Sequence, residues 1–428
     1  MVYNAEDCRK KRPQVLAGEL ELPVQELWPI IYDVTCSVRR WDEGDFADKL
    51  RGDALGVFRI MLQKLDWDED DEVDIFYDAI YEIPGMGISP DKIFEILTEA
   101  NINFTEPMYR RGELTNVRDY LLDKRFSTEL LEAMAKAGVD LNTAVIKGRT
   151  PVYILAKSFS LDRTDDEPDE DETALAKAVE EYFSVESMEE INSYGTSAAH
   201  EIVDGNHFLA LEAMLKKGVN VNIAEDAQGE AGNTLLHVAC KNCFPKIVRM
   251  LMEAGADDTI MNVNEQTPAH VAVTERGGAY GVTPDDMADT LRELKNIDIP
   301  GKDGMTPLML AQDYELRASD ELTPVLIEMG ADVNRADNEG NTAALLHARW
   351  HCDKDVIKAM VSAGYNINAR NADGNTLLHF AVKNRANQVA IYLLKKGADY
   401  NITNEEQASP LQLAVEKGLD DVLPFMGL

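Results

Sequence analysis

"NTLLHFAVKNRANQVAIYLLKKGADYN", residues 375–401, reads as one folding unit. Thr376 offers a hydroxyl to cap a helix start. "HFAVK" supplies a short helix, polar Asn384 to Asn387 make a turn, and "QVAIYLL" (388–394) is an apolar second helix. Gly397 then provides the left-handed residue on which helices commonly end. The opening motif recurs as "NTLLHVA" (233–239), "QTPAHVA" (266–272), "MTPLMLA" (305–311) and "ASPLQLA" (408–414), with 33 residues from Thr234 to Thr267 and 33 again from Thr376 to Ser409. Pro307 follows the capping Thr306 at the first helical position, where a missing N–H is harmless. The small residues Ala239, Ala272, Ala311, Ala381 and Ala414 imply close approach of neighbouring first helices. The glycine loop recurs as "AGVDLN" (137–142), "KGVNVN" (217–222), "AGADD" (254–258), "MGADVN" (329–334) and "AGYNIN" (363–368).

Weaker copies extend the pattern upstream and fill its gaps. "GRTPVYILA" (148–156), "GTSAAHEIV" (195–203) and "NTAALLHA" (341–348) fit with one extra residue. An interval of eight residues from loop Asn to cap, as from Asn142 to Thr150 and from Asn368 to Thr376, sets the register. "ANINF" (100–104) followed by Thr115 reads as a degenerate loop and cap. Residues 105–428 are therefore expected to form about nine stacked helix pairs, the last with a short second helix that caps the C-terminal end. Two intervals are too long. Their sources are insertions near 160–172, where "DRTDDEPDEDE" (162–172) lies, and at "RGGAYGVTP" (276–284); both should bulge between the helices of a pair. Residues 1–104 lack the landmarks. Helical apolar spacing in "DFADKLRGDALGVFRIMLQKL" (45–65) predicts a helical N-terminal cap with room for degenerate repeats.

The Thr-x-x-His-x-Ala motif and the glycine loop together resemble the ankyrin repeat, whose signature is Thr-Pro-Leu-His-x-Ala followed by an Ala-Gly-Ala-Asp-x-Asn loop. The resemblance implies an all-α solenoid of helix–turn–helix pairs and a non-enzymatic protein-binding scaffold. Stacked pairs expose a concave surface of first helices and loop tips, which suits macromolecular partners.

Composition bounds the alternatives. The chain has 42 Lys and Arg against 77 Asp and Glu, a net charge of −35, which opposes binding to a phosphate backbone. Five cysteines (8, 36, 240, 243, 352) are odd in number and thinly spread, which points to a reducing, cytoplasmic compartment rather than a disulfide scaffold. No apolar run is long enough for a membrane span. A monomer is expected.

Four stretches mimic chemistry. "HVACKNC" (237–243) has metal-ligand spacing, but His237 occupies the repeat's own histidine position, shared with His270 and His379, and Cys243 falls in the turn between helices. A closed zinc site wants four ligands, so hydrogen bonds from these histidines to Thr or backbone groups of adjacent repeats are the better reading. "DWDEDDEVDIFY" (66–77) lacks the Gly and Glu of a calcium loop, with Asp71 and Tyr77 in their places, and reads as a solvated acidic linker. "RGGAYG" (276–281) has neither the preceding strand nor the following Lys-Ser/Thr of a phosphate loop. "RKKR" (9–12) reads as a solvated end. No catalytic constellation, metal site or cofactor site emerges. The alternative is an enzyme, or an enzyme regulator, with its activity in the N-terminal helical region.

The expected partner is a protein, and a basic one, because the loop tips lean acidic: Glu225, Asp226, Glu230, Glu265, Asp303, Glu339, Asp373, Glu405 and Glu406 among them. Two fingers, 223–233 and 104–114, exceed the norm by four residues, which marks Tyr109 and Arg110 in the second. Trp350 falls where other copies carry Lys241, Lys383 or Glu416, so it should face solvent. With Arg349 and His351 beside it, it is a candidate binding hot spot.

Overall fold

The computed structural model describes residues 4–38, 45–125, 127–159, 170–226, 232–274, 283–312 and 319–428. Most of the acidic insertion (160–169) and residues 276–282 of the Gly-rich one lie outside the described residues, as does Glu230. The chain divides into two compact units, Met1–Val219 and Asn220–Leu428.

In the first unit, α1 (Ala5–Leu16) is capped by Asn4, whose side chain accepts from the Glu6 and Asp7 amides. The basic run 9–12 lies inside this helix, with Arg9 and Lys10 exposed and Lys11 and Arg12 half-buried. Each cation has an acid: Arg9 with Asp33, Lys10 with Glu6, Lys11 with Asp7 and Glu26, Arg12 with Asp53. The helices α2 (Val24–Val38), α3 (Asp45–Leu62) and α4 (Asp70–Glu82) share an apolar core in which Leu27, Ile31, Phe58, Met61, Phe76 and Ile80 are fully or almost fully buried. The acidic stretch 66–77 is thus no linker beyond residue 69. Its acids Asp70, Asp71 and Glu72 fill the first turn of α4, where carboxylates complement the helix dipole, and Val73, Phe76 and Tyr77 point into the core.

After a 3-10 turn come α5 (Pro90–Glu99) and a hairpin of β1 (Met108–Arg110) and β2 (Glu113–Thr115), turned at Arg111 and Gly112 with φ of 49° and 81°. The helix pairs then begin: α6 (Val117–Arg125) with α7 (Thr128–Lys136), α8 (Pro151–Ser158) with α9 (Glu170–Tyr182), and, past short α10 (Val185–Glu189), α11 (Ala198–Asp204) with α12 (Phe208–Lys217). First helices pack in series, α6 on α8 and α8 on α11, and second helices likewise, α7 on α9 and α9 on α12. The same stacking reaches back, α4 on α6 and α5 on α7. Two caps differ from expectation by one residue. Asn116, not Thr115, receives the α6 amide, with Asp119 N donating to its Oδ1 at 2.7 Å. Ser197, not Thr196, caps α11. Thr115 is spent in the last position of β2, which leaves Asn116 at the helix start.

The second unit is a regular alternation: α13 (Leu235–Lys241), α14 (Pro245–Glu253), α15 (Pro268–Thr274), α16 (Pro284–Arg292), α17 (Pro307–Leu310), α18 (Ser319–Glu328), α19 (Ala343–Trp350), α20 (Lys354–Ser362), α21 (Leu377–Lys383), α22 (Asn387–Lys395) and α23 (Pro410–Glu416). The last second helix is reduced to a 3-10 turn, Leu423–Met426. First helices again pack on first helices and second on second. Ala239, Ala272, Ala311, Ala381 and Ala414 are 0% exposed, so no side chain larger than a methyl separates the helices there. Loop glycines 255, 330, 364 and 397 end their helices at φ 90–98°, a conformation that strains any residue with a Cβ.

A polar seam joins successive loops of this unit. Asn222 Oδ1 accepts from Asp257 N (2.9 Å), Asp258 from Lys295 N and Asn296 N, and Asp298 from Asp332 N. Onward, Asn334 accepts from Asn366 N (2.6 Å) and Asn368 from Asp399 N (2.9 Å). The loop Asn of the repeat is there to hold the next loop. Within the first unit Asn142 does the same for Ser184 N at 2.7 Å.

Candidate functional site

Three first helices of the second unit start with one polar arrangement. The Thr234 amide donates to His237 Nδ1 at 3.1 Å, and the hydroxyl lies 2.9 Å from the same nitrogen. His237 Nε2 is 3.0 Å from the Gln266 carbonyl, just before the next cap. Thr267 and His270 repeat this toward Met305 O, and Thr376 and His379 toward Ala408 O. Because Nδ1 accepts an N–H, the proton sits on Nε2 and is donated to the carbonyl; each ring is neutral with both nitrogens committed. Burial pushes His237 down to about 4 and lowers His270 and His379 as well.

The "HVACKNC" stretch therefore presents no histidine lone pair to a metal. Burial raises the Cys240 thiol far above its usual range and Cys243 to about 12. Cys243 stands with Asn206, Cys352 and Arg385 at the left-handed turn between the helices of a pair (φ 53–56°), so its spacing from Cys240 is set by the repeat. Among the described residues no group of three or more His, Cys, Asp or Glu is arranged to hold a metal ion.

Three fingers are closed at the neck by single β-bridges, Ala224 to Thr234, Ala336 to Thr342 and Arg370 to Thr376. Their tips are linked to one another by backbone: Asn338 N donates to Asp303 O, Ala372 N to Glu339 O and Glu405 N to Asp373 O, at 2.9–3.0 Å. Gly340 and Gly374 permit this, since a Cβ there would stand 3.1 and 3.0 Å from the next finger's backbone. Amide side chains add a second line, Asn262 to Asn233, Asn371 to Asn341 and Asn404 to Asn375.

The acids of the tips are thereby held in a row. Asp303, Glu339, Asp373, Glu405 and Glu406 are exposed along it, as is Lys302, and Asp226 and Glu265 are exposed on the earlier fingers. Two cations of the row are already engaged: Arg335 with Asp298 at 3.2 Å, and Arg370 with the Gly374 and Thr403 carbonyls. Glu225 is half-buried at the neck of its finger, where its backbone pairs with Asn233 and Gly232.

Trp350 ends α19 and is 63% exposed, with the Arg349 guanidinium 5.4 Å from its ring centroid. Arg349 and His351 are exposed beside it. Its helix lacks the usual histidine: Leu345 takes that place, His347 instead accepts from Asp353 N, and Tyr365 OH meets the Thr342 hydroxyl at 3.1 Å. In the first unit, Tyr109 is 59% exposed on the hairpin. Arg110 turns inward, to Asp78 at 2.9 Å and over the Tyr120 ring at 4.6 Å, where it borders a small cleft between the hairpin, α6 and α8.

Sequence reading missed the buried replacement at the start of α6. There Arg118 and Asp119 stand where the repeat has Leu and His; Arg118 Nε donates to Asp119 at 2.8 Å and Nη1 to the Asp140 and Thr143 carbonyls. The charged pair in an otherwise apolar motif was the available signal.

Helix pairs with shared caps, loop glycines and a side-chain seam define a helical-repeat protein of the solenoid class. The chain is an ankyrin-repeat protein: the family described as ankyrin repeats in three copies matches residues 173–262 and 200–283, and that of ankyrin repeats in many copies matches 360–414. It is similar to the B-cell lymphoma 3 protein homolog of Mus musculus (24% identity, 54% of this chain, 51% of that protein). It is also similar to the E3 ubiquitin-protein ligase KEG of Arabidopsis thaliana (26%, covering 52% and 14%) and to human Rabankyrin-5 (26%, covering 49% and 18%). Among solved structures it resembles the ankyrin repeat domain of Bcl-3, with a TM-score of 0.46, 24% identity, and coverage of 54% of this chain and 99% of that one. The chain thus spans about half the length of the first of these curated relatives and less of the others. Among the described residues no helix is long and apolar enough to cross a membrane.

Proposed function

We propose that this protein is a non-enzymatic interaction scaffold that holds a basic segment of a partner protein against the acidic fingers and the concave face of its repeats. Ankyrin repeats mediate protein–protein interaction, and that much follows from the family. The observation that carries the finer reading is the finger row: exposed carboxylates on tips fixed by backbone bonds, with Arg335 and Arg370 committed elsewhere. Fixed tips hold their charges in place before binding, which lowers the ordering cost, and the net charge of −35 attracts a cationic partner. Trp350, with Arg349 and His351 beside it, supplies an aromatic anchor at the far end of α19, Asp226 and Glu225 extend the acidic row, and Tyr109 marks a second contact region on the hairpin, next to Arg110, which is held inward on Asp78. In this reading residues 1–104 cap an array running from 105 to 428, and the protein works as a cytoplasmic monomer. The ligase named among its relatives is matched over 14% of its length, so its activity lends this chain none.

The test is a fluorescence-polarisation titration of the full chain with a labelled Lys/Arg-rich peptide. Neutralising the row with Glu339→Gln, Asp373→Asn, Glu405→Gln and Glu406→Gln together should weaken binding at least tenfold. Unchanged affinity would remove the acidic fingers from the interface.

A further inference from the structure

In three copies of the second unit the residue before the capping Thr is an amide, Asn233, Asn341 or Asn375, and its side chain accepts from the Asn of the next finger. Before Thr150 that residue is Arg149. A guanidinium has no acceptor, so Asn192, which holds the donor's place in the next finger, gives its Nδ2–H to Thr196 Oγ1 at 3.2 Å. Arg149 is left half-buried in the wall of the cleft between the hairpin, α6 and α8. Its Nε is buried and has no hydrogen-bond partner among the described residues. The same holds for Nε of Arg110, which lines the cleft from the hairpin.

Two buried donors without partners call for an acceptor. Ion pairs account for most of the other charges in the lining. Lys124 holds Asp123 at 2.6 Å, Lys157 holds Glu201 at 3.5 Å, Arg110 reaches Asp78 through Nη2 at 2.9 Å, and Arg118 holds Asp119 at 2.8 Å. Arg149 remains as the unpaired cation of the lining and Glu113 as its unpaired carboxylate. Glu113 is exposed on the hairpin and keeps its hydration; the Arg149 Nε–H is cut off from water. The positive field of Arg149 is felt on the neighbouring finger. There the Tyr194 hydroxyl is held below its ordinary pKa by the Lys147 ammonium 3.1 Å away, with Arg149 and Lys157 adding to the effect.

Charge and size narrow the acceptor. A carboxylate matches the guanidinium fork and carries the single negative charge that one unpaired cation offsets. A phosphate dianion would be half-compensated beside Glu113, Asp119 and Asp123. The cleft encloses about 200 Å³, less than the roughly 300–1,000 Å³ of sites that enclose whole small molecules, so it fits one side chain.

We infer that the cleft between the hairpin, α6 and α8 receives the carboxylate of a glutamate or aspartate side chain from a partner protein on the Arg149 guanidinium, with Arg110 Nε as the second donor of the same cleft. The site takes the opposite charge from the finger row, lies wholly within the first unit and does not rest on the finger reading.

The probe is acetyl-Gly-Ser-Glu-Ser-Gly-amide, whose one charge is the side chain, and the control carries glutamine in its place. Both are titrated into the full chain labelled with ¹⁵N-arginine, at about 0.15 M salt, where a Debye length of about 8 Å screens the net charge. The glutamate peptide should move the Arg149 Nε–H resonance, identified by its loss in Arg149→Lys, and the glutamine peptide should bind at least tenfold more weakly. Arg149→Gln should weaken the glutamate peptide at least tenfold, and the exposed change Glu113→Gln should tighten it about twofold by removing a like charge. An unmoved Arg149 resonance, equal binding of the glutamine peptide, or tighter binding of inorganic phosphate than of the glutamate peptide overturns the proposal. Wild-type affinity in Arg149→Gln does the same. Should that variant lower the melting temperature, the wild-type titrations and Glu113→Gln decide. The finger-row variant should bind the glutamate peptide as the wild type does, so either reading can fail while the other stands.

Discussion

The first helices that begin at Thr234, Thr267 and Thr376 and the one that begins at Asn116 meet one requirement with different chemistry. Each must tie its start to a later main-chain carbonyl. In the second unit a neutral histidine does so, with Nδ1 taking the cap's N–H and Nε2 reaching the carbonyl before the next cap. In the first unit Arg118 reaches the Asp140 and Thr143 carbonyls, but its charge then needs Asp119, and both side chains are 5% exposed or less. The neutral link can be copied from repeat to repeat, because each ring satisfies itself. The charged link is a single coupled pair whose members fail together.

The largest expected effect tests that coupling. Arg118→Ala leaves the Asp119 carboxylate buried without its cation and should cost about 4 kcal/mol, read as faster hydrogen exchange in α6 and α8. The double variant Arg118→Leu/Asp119→His restores the repeat's own pattern and should recover most of the loss; no recovery would show that the two chemistries are not equivalent.

Next in size is a pH effect confined to the histidine type. His237 titrates near its ordinary 6.5 when unfolded and at about 4 when folded. Between those values the unfolded state binds more protons, so stability is full above pH 6.5, falls as pH drops toward 4, and loses no more below it. The loss is on the order of 3 kcal/mol for a shift of that size. The chain supplies its own non-titrating substitute: Gln412 accepts the Ser409 amide at 2.8 Å in the histidine's place. His237→Gln should be slightly less stable at pH 7 and lose less between pH 6.5 and 4, measured by denaturant titration.

Smaller still is one amide of the ladder. Asn371→Ala removes the 3.0 Å bond to Asn341 and the Asn375 amide's acceptor, and should cost about 1 kcal/mol without changing helix content. Trp350→Ala should change stability by less than about 0.5 kcal/mol, as for an exposed side chain, while weakening partner binding. A clear fall in melting temperature with affinity retained would make Trp350 a packing residue.

The same comparison explains what was legible in the sequence. Thr234, His237, Ala239 and Gly255 each do a local job that recurs, so spacing alone revealed the helix pairs, the buried alanines and the histidine bonds. Trp350 could be placed in solvent because its equivalents Lys383 and Glu416 are polar and exposed. Arg118, the Ser197 cap and the helical start of α4 were not legible. Arg118 reaches carbonyls more than twenty residues away, the start of α4 packs against other helices, and the Ser197 cap follows from a competing role of its neighbour, Thr196 accepting from Asn192, as Thr115 is taken by β2.

Whether the acidic fingers receive the partner is tested most directly by hydrogen exchange of the full chain with and without a saturating basic peptide. Slower exchange at finger residues 301–305, 337–341, 371–375 and 404–408 is the expected result. Protection confined to the second helices α14, α16, α18, α20 and α22, with the fingers exchanging as in the free protein, would contradict it.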